Sequence, residues 1–75
     1  PARADLDAAC LDVMRQTLAL DNDACRENAL HGLGHWLPYY PAPVEQIIAD
    51  FLARTPTLRP ELLAYARRAQ RGAVL

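Results

Sequence analysis

No serine and no lysine occur anywhere in the 75 residues, and all eight basic side chains are arginines. The missing serine excludes a serine nucleophile outright, and the joint absence reads as the codon bias of a GC-rich genome. Cysteine is scarce: Cys10 and Cys25 are the only two, and their spacing matches no Cys-x-x-Cys metal or redox pair. Both lie among apolar residues, so they are expected to be small buried hydrophobes. A bridge between them needs neighbouring antiparallel helices, and no secretory signal favours one. No apolar run is long enough to cross a bilayer. No alternating apolar run occurs and β-branched residues are few, which argues against strands. The expected location is therefore the cytoplasm. Because the sequence starts at Pro1 rather than Met, a fragment of a longer chain is one expectation.

Charge of one sign is also lacking. The formal net charge of −1 gives no global case for nucleic acid or a membrane surface. The distribution is less even, with three Arg against six acids in residues 1–37 and five Arg against three acids in 38–75. A domain of this size buries only about 60% of its unfolded surface and is marginal without a staple, a metal or a partner. The apolar share is 52%, but fourteen residues are alanine, which favours helix and adds little buried area. A partner surface fits these energetics.

What is present is helix, in four segments of one domain. The first runs from about Ala4 to Leu20, with Leu6, Ala9, Cys10, Val13, Met14, Thr17 and Leu18 recurring at three and four. Its expected cap is Asp5 or the residue before it. Asn22 or Asp23 caps the second helix, which runs to about Leu37. The run Pro38-Tyr39-Tyr40-Pro41-Ala42-Pro43 marks a connector over 38–43, with Pro43 suited to the first turn of a third helix. That helix has the cleanest stripe, Val44, Ile47, Ile48, Phe51 and Leu52, and ends near Arg54. The last opens around Pro60 and Glu61, carries Leu62, Leu63, Tyr65, Ala66 and Ala69, and has Gly72 as a ready C′ residue. The pattern predicts an all-α chain of two antiparallel hairpins, about 4–37 and 43–72. Corresponding helices are offset by about 37–40 residues, a two-helix repeat period that a small four-helix bundle fits equally well.

The most informative segment, Glu27 to Trp36, holds both histidines, two of the three glycines and the only tryptophan. On a helical wheel with Glu27 at zero, His31 falls near about 40° and His35 near about 80°. The apolar residues Cys25, Ala29, Leu30, Leu33, Trp36 and Leu37 centre near about 220–230°. His31 is thus placed away from the main apolar face. Two His at i and i+4 can share a Zn²⁺, with Glu27 as a third ligand or as an acceptor for the His31 ring. No further His exists to complete the set. A thiol–imidazole pair is not formed within this helix, because Cys25 lies about 120° around the wheel from His31. No catalytic residue is therefore expected. Gly32 and Gly34 cost helix stability and argue for close approach of another backbone or an early helix end.

The run Arg26-Glu27-Asn28-Ala29-Leu30-His31-Gly32-Leu33-Gly34 resembles the second helix of a HEAT-like repeat, with Arg26, Ala29, Leu30, Leu33 and Gly34 at the matching positions. The resemblance implies stacked helix pairs whose second helices line a surface for proteins or peptides, with the last helix as a cap. The expected function is a non-catalytic interaction or scaffold module, as part of a longer array or a homodimer. Its expected contact surface is Glu27, Asn28, His31, His35 and Trp36, with Arg67, Arg68 and Arg71 as a secondary patch. The alternative is a Zn-binding helical protein using His31, His35 and Glu27, completed at an oligomer interface. Trp36, Tyr39 and Tyr40 read either as a peptide groove or as a roof over the core where the chain turns.

Overall fold

The computed structural model of the protein describes residues 2–74, with side chains from Ala4 onward. Four helices account for the chain: α1 (Ala2–Leu18), α2 (Asp23–Trp36), α3 (Pro41–Arg54) and α4 (Pro60–Ala69). No strand occurs among the described residues. The local chemistry explains most boundaries. α1 starts before Ala4, so Asp5 sits in its first turn, where a carboxylate suits the positive helix end, instead of capping it. Its last turn tightens into i→i+3 bonds, with Ala19 N–H donating to the Gln16 carbonyl and Leu20 N–H to that of Thr17. Asn22 caps α2, its side-chain oxygen accepting from the Cys25 N–H at 3.0 Å.

The connector before α3 is shorter than the prolines suggest. α3 begins at Pro41, because Pro41 and Pro43 both fall in its first turn, where the missing N–H groups have no intrahelical acceptor to lose. α4 closes as expected at Gly72, whose φ of +71° lets Gly72 N–H reach the Ala69 carbonyl and Ala73 N–H that of Arg68.

Contacts along the chain define the packing register. Leu18 of α1 meets Arg26 of α2, Met14 lies against Gly32, and Asp7 accepts from Tyr40 just past the end of α2. α1 and α2 therefore run antiparallel. In contrast, Asp23 meets Arg59, His31 meets Tyr65, and Gly34 lies against Gly72 and Val74, so α2 and α4 run parallel. α1 and α3 are parallel as well, with Leu11 beside Ile47, Arg15 beside Asp50 and Arg54, and Leu18 beside Phe51 and Thr55. The second helical pair thus stacks on the first with matching residues about 36 positions apart, as in Asp23–Arg59 and Leu11–Ile47.

α2 is the central helix. Its most extensive contacts are with α1 and α4; α3 and α4 touch only slightly, and among the described residues α1 and α4 do not touch. The core gathers Leu11 and Leu18, then Ala29, Leu30 and Leu33, then Val44, Ile48 and Phe51, and closes with Leu62, Ala66 and Ala69. Arg26 ties three helices at one end. Its Nε donates to the Leu18 carbonyl at 3.3 Å, its guanidinium lies 5.7 Å from the Phe51 ring centroid, and Asp23 and Asp21 neutralise it at 3.5 and 3.8 Å. The residue that carries the HEAT-like resemblance at the start of α2 is therefore an internal clamp.

Several expectations are corrected here. Asp7, Leu11, Met14 and Leu18 form the inward face of α1, while Leu6, Ala9, Cys10 and Val13 point to solvent. Cys10 is an exposed free thiol, not a buried hydrophobe, and Cys25 is a half-buried one. The antiparallel register puts Cys25 beside the Leu18 end of α1, about 12 Å along the axis from Cys10, so the two cannot bridge.

Candidate interaction surface

The expected ridge on α2 divides into two kinds of residue. Glu27, Asn28 and His35 are exposed, whereas His31 and Trp36 are half-buried. The wheel is right that His31 leaves the main apolar face, but α4 supplies a second neighbour on that side. His31 Nδ1 is 3.0 Å from the Tyr65 hydroxyl, and its ring meets that of His35 edge to face at a centroid distance of 4.5 Å. Arg68 lies over the other part of this cluster, 5.0 Å from the Tyr65 ring centroid. Tyr65 thus links the histidine ridge to the arginine patch, which sequence reasoning treats as two separate surfaces. The only sequence signal for Tyr65 is its phenol on an otherwise apolar helix stripe, a polar tip that needs a partner once half-buried.

Arg67, Arg68 and Arg71 are all exposed, with Arg71 just past the end of α4. Trp36 stacks on Tyr40 at 5.9 Å and packs against the core, while Tyr39 stands 78% exposed. That arrangement matches the roof reading for Trp36 and Tyr40. A groove of about 400 Å³ between α1 and α3, lined by Ala4, Ala8, Leu11, Tyr40, Pro43 and Ile47, opens beside it.

For the metal alternative, His31 and His35 do lie together on one side of α2. However, no group of three or more His, Cys, Asp or Glu side chains is placed to hold a metal ion among the described residues. A Zn²⁺ here would draw its remaining ligands from a second chain. Cys25 and His31 turn to different sides of α2, as the wheel places them.

The surface that the sequence misplaces is on α1. Leu6 is 65% exposed and Val13 60%, with Leu20 just past the helix end at 53%. Leu6, Ala9, Cys10 and Val13 span only about 100° of the wheel, nearly opposite the residues that face α3. They form a second apolar stripe on the same helix. Beside it, the outward edge of α2 shows Ala24, Asn28 and His35. On the other side of α1, Asp12 and Arg15 stand at the rim of the groove shared with α3. Asp12 is held below the ordinary value of 3.8 by hydrogen bonds from Arg15 and Gln16, so it stays ionised at neutral pH. Among the described residues, no helix is long and apolar enough to cross a membrane. Comparison of the chain with protein-family models, with curated proteins and with solved structures returns no match.

Proposed function

We propose that the chain is a non-catalytic protein-interaction module of HEAT-like character, working in the cytoplasm. The observation that carries the reading is the outward apolar stripe of α1, Leu6, Ala9, Cys10 and Val13, running beside the polar outward edge of α2. Contiguous exposed apolar surface rimmed by polar groups marks an interaction site. The parallel stacking of α3 on α1 and α4 on α2 supports the helical-repeat part of the reading. The two free thiols suit a reducing compartment.

The contact surface is thereby moved from the expected ridge toward its α1 side. Asn28 and His35 stay in it, with Glu27 at its edge. His31 serves first to hold α4 through Tyr65. The test is affinity capture from a cell extract with quantitative readout, using wild type, Val13→Glu, and Asn28→Ala combined with His35→Ala. Each variant changes only exposed side chains, so melting temperature should be unchanged within the shift that surface substitutions give, about 0.5 kcal/mol equivalent. Val13→Glu is expected to lose specific partners at least tenfold in enrichment, and the double variant to lose a smaller share. Full retention by Val13→Glu overturns the surface.

A further inference from the structure

We infer that copies of this chain stack head to tail, the solvent side of α3 and α4 of one copy seating on the exposed faces of α1 and α2 of the next. The inference rests on the interaction-module reading and names the partner for that surface as a second copy. Three observations point the same way.

The first is charge. Residues 1–37 carry three Arg and six acids, a net of −3, while residues 38–75 carry five Arg and three acids, a net of +2. The stacking direction found inside the chain runs from the first half to the second. A head-to-tail neighbour therefore sets the basic half, with Arg67 and Arg71 exposed, against the acidic half, with Asp5 exposed. A two-fold pairing through α1 would instead bring the same acidic edge against itself.

The second is shape. The side of α3 turned away from α1 carries two exposed alanines, Ala42 and Ala49, with Glu45 between them. Continuing the internal offset of about 36 residues from one copy to the next puts Ala42 opposite Leu6 and Ala49 opposite Val13. The large exposed side chains of α1 meet small ones, the condition for close helix packing. On the second helix the same step puts Ala64 opposite Asn28 and Arg71 opposite His35.

The third is continuity. The receiving stripe lies on the side of α1 turned away from α3, so the contact repeats a packing that the chain already uses. Such an interface is heterologous, and copies add without an internal stop unless the stack closes into a ring.

The test is sedimentation velocity with light scattering on the full chain from about 10 μM to 1 mM, at low and high salt, on wild type, Val13→Glu and Ala49→Glu. Wild type is expected to rise with concentration beyond two chain masses of 8.3 kDa each, and to fall back at high salt. Val13→Glu blocks one face and Ala49→Glu the other, so each alone should stay monomeric. Mixed one to one, they retain one complementary pair of faces and should form a heterodimer that stops at two chains. Wild type that is monomeric throughout overturns the inference. So does a plateau at two copies with Cys10 cross-linking to Cys10, which is the signature of a symmetric α1 dimer. If wild type is monomeric but Val13→Glu still loses captured partners, the stacking fails while the interaction-module reading stands. If neither effect is seen, both fail.

Discussion

At the scale of single residues, the two glycines of α2 separate cleanly by what surrounds them. A Cβ on Gly34 would come within 2.5 and 2.8 Å of the Val74 methyls and 3.2 Å of its Cβ, in the segment that folds back after Gly72. A Cβ on Gly32 would meet only the Met14 sulfur at 2.9 Å, near the end of an unbranched, adaptable side chain. Replacing glycine by alanine in a helix interior gains about 1 kcal/mol. At Gly34 an overpacking cost of about 1–3 kcal/mol opposes that gain. Gly34→Ala is therefore expected to melt lower than wild type and Gly32→Ala at or above it, with about 4–8 °C for each kcal/mol in a domain this small. Circular dichroism melts check the order of the three proteins, and Gly34→Ala melting above Gly32→Ala would refute the packing. The sequence marks these glycines as places of close backbone approach or of a helix end; instead α2 continues to Trp36 and side chains come close at both. What it does not carry is which neighbour each one meets, because Val74 and Met14 reach them from opposite ends of the chain.

At the scale of elements, the four helices are legible because proline, Asn22 and Gly72 punctuate them and because the stripes of α3 and α4 are strong. α1 is the exception. It carries two apolar stripes, one through Leu11, Met14 and Leu18 and one through Leu6, Cys10 and Val13. Periodicity reports that apolar residues recur, but not which stripe is covered, and α1's alanines blur the difference further. Only the placement of α2 and α3 decides it. His31 fails for a related reason, since a helix with neighbours on two sides has no single buried face. The phase of α1 predicts opposite outcomes at positions two residues apart. Leu11 is 7% exposed in the core, and Leu11→Ala should cost about 2–5 kcal/mol. Val13→Ala should stay within about 0.5 kcal/mol of wild type, since its side chain touches mainly solvent. Urea titration monitored at constant slope checks both. If Val13→Ala proves the more damaging, the phase of α1 is wrong and the outward stripe with it.

At the scale of the whole molecule, stability has to come from α2, which sits between α1 and α4 and over α3. The 8.3 kDa chain has no bridge between its cysteines, so the two helical pairs are held by packing together with the His31–Tyr65 hydrogen bond and the Asp23–Arg59 ion pair. Each pair by itself leaves one side of this core open. Residues 1–37 alone would expose Leu30 and Leu33, which are fully buried in the intact chain, and would lose the Phe51 ring beneath Arg26. Stacked helical pairs of this kind share their core with a neighbour, and one pair cannot bury its apolar face alone. The intact chain should therefore unfold in one cooperative step, with a calorimetric enthalpy of about 50 kcal/mol for 75 residues. Peptides covering 1–37 and 38–75 should each show weak, non-cooperative helicity and recover the helical signal when mixed, because the parallel contacts of α1 with α3 and α2 with α4 need no covalent link. Recovery should be lost when the second peptide carries Phe51→Ala, which removes the largest fully buried side chain. A 1–37 peptide that melts cooperatively alone would show that the first pair is a self-sufficient hairpin. The second pair would then be an appended element and not half of a common core.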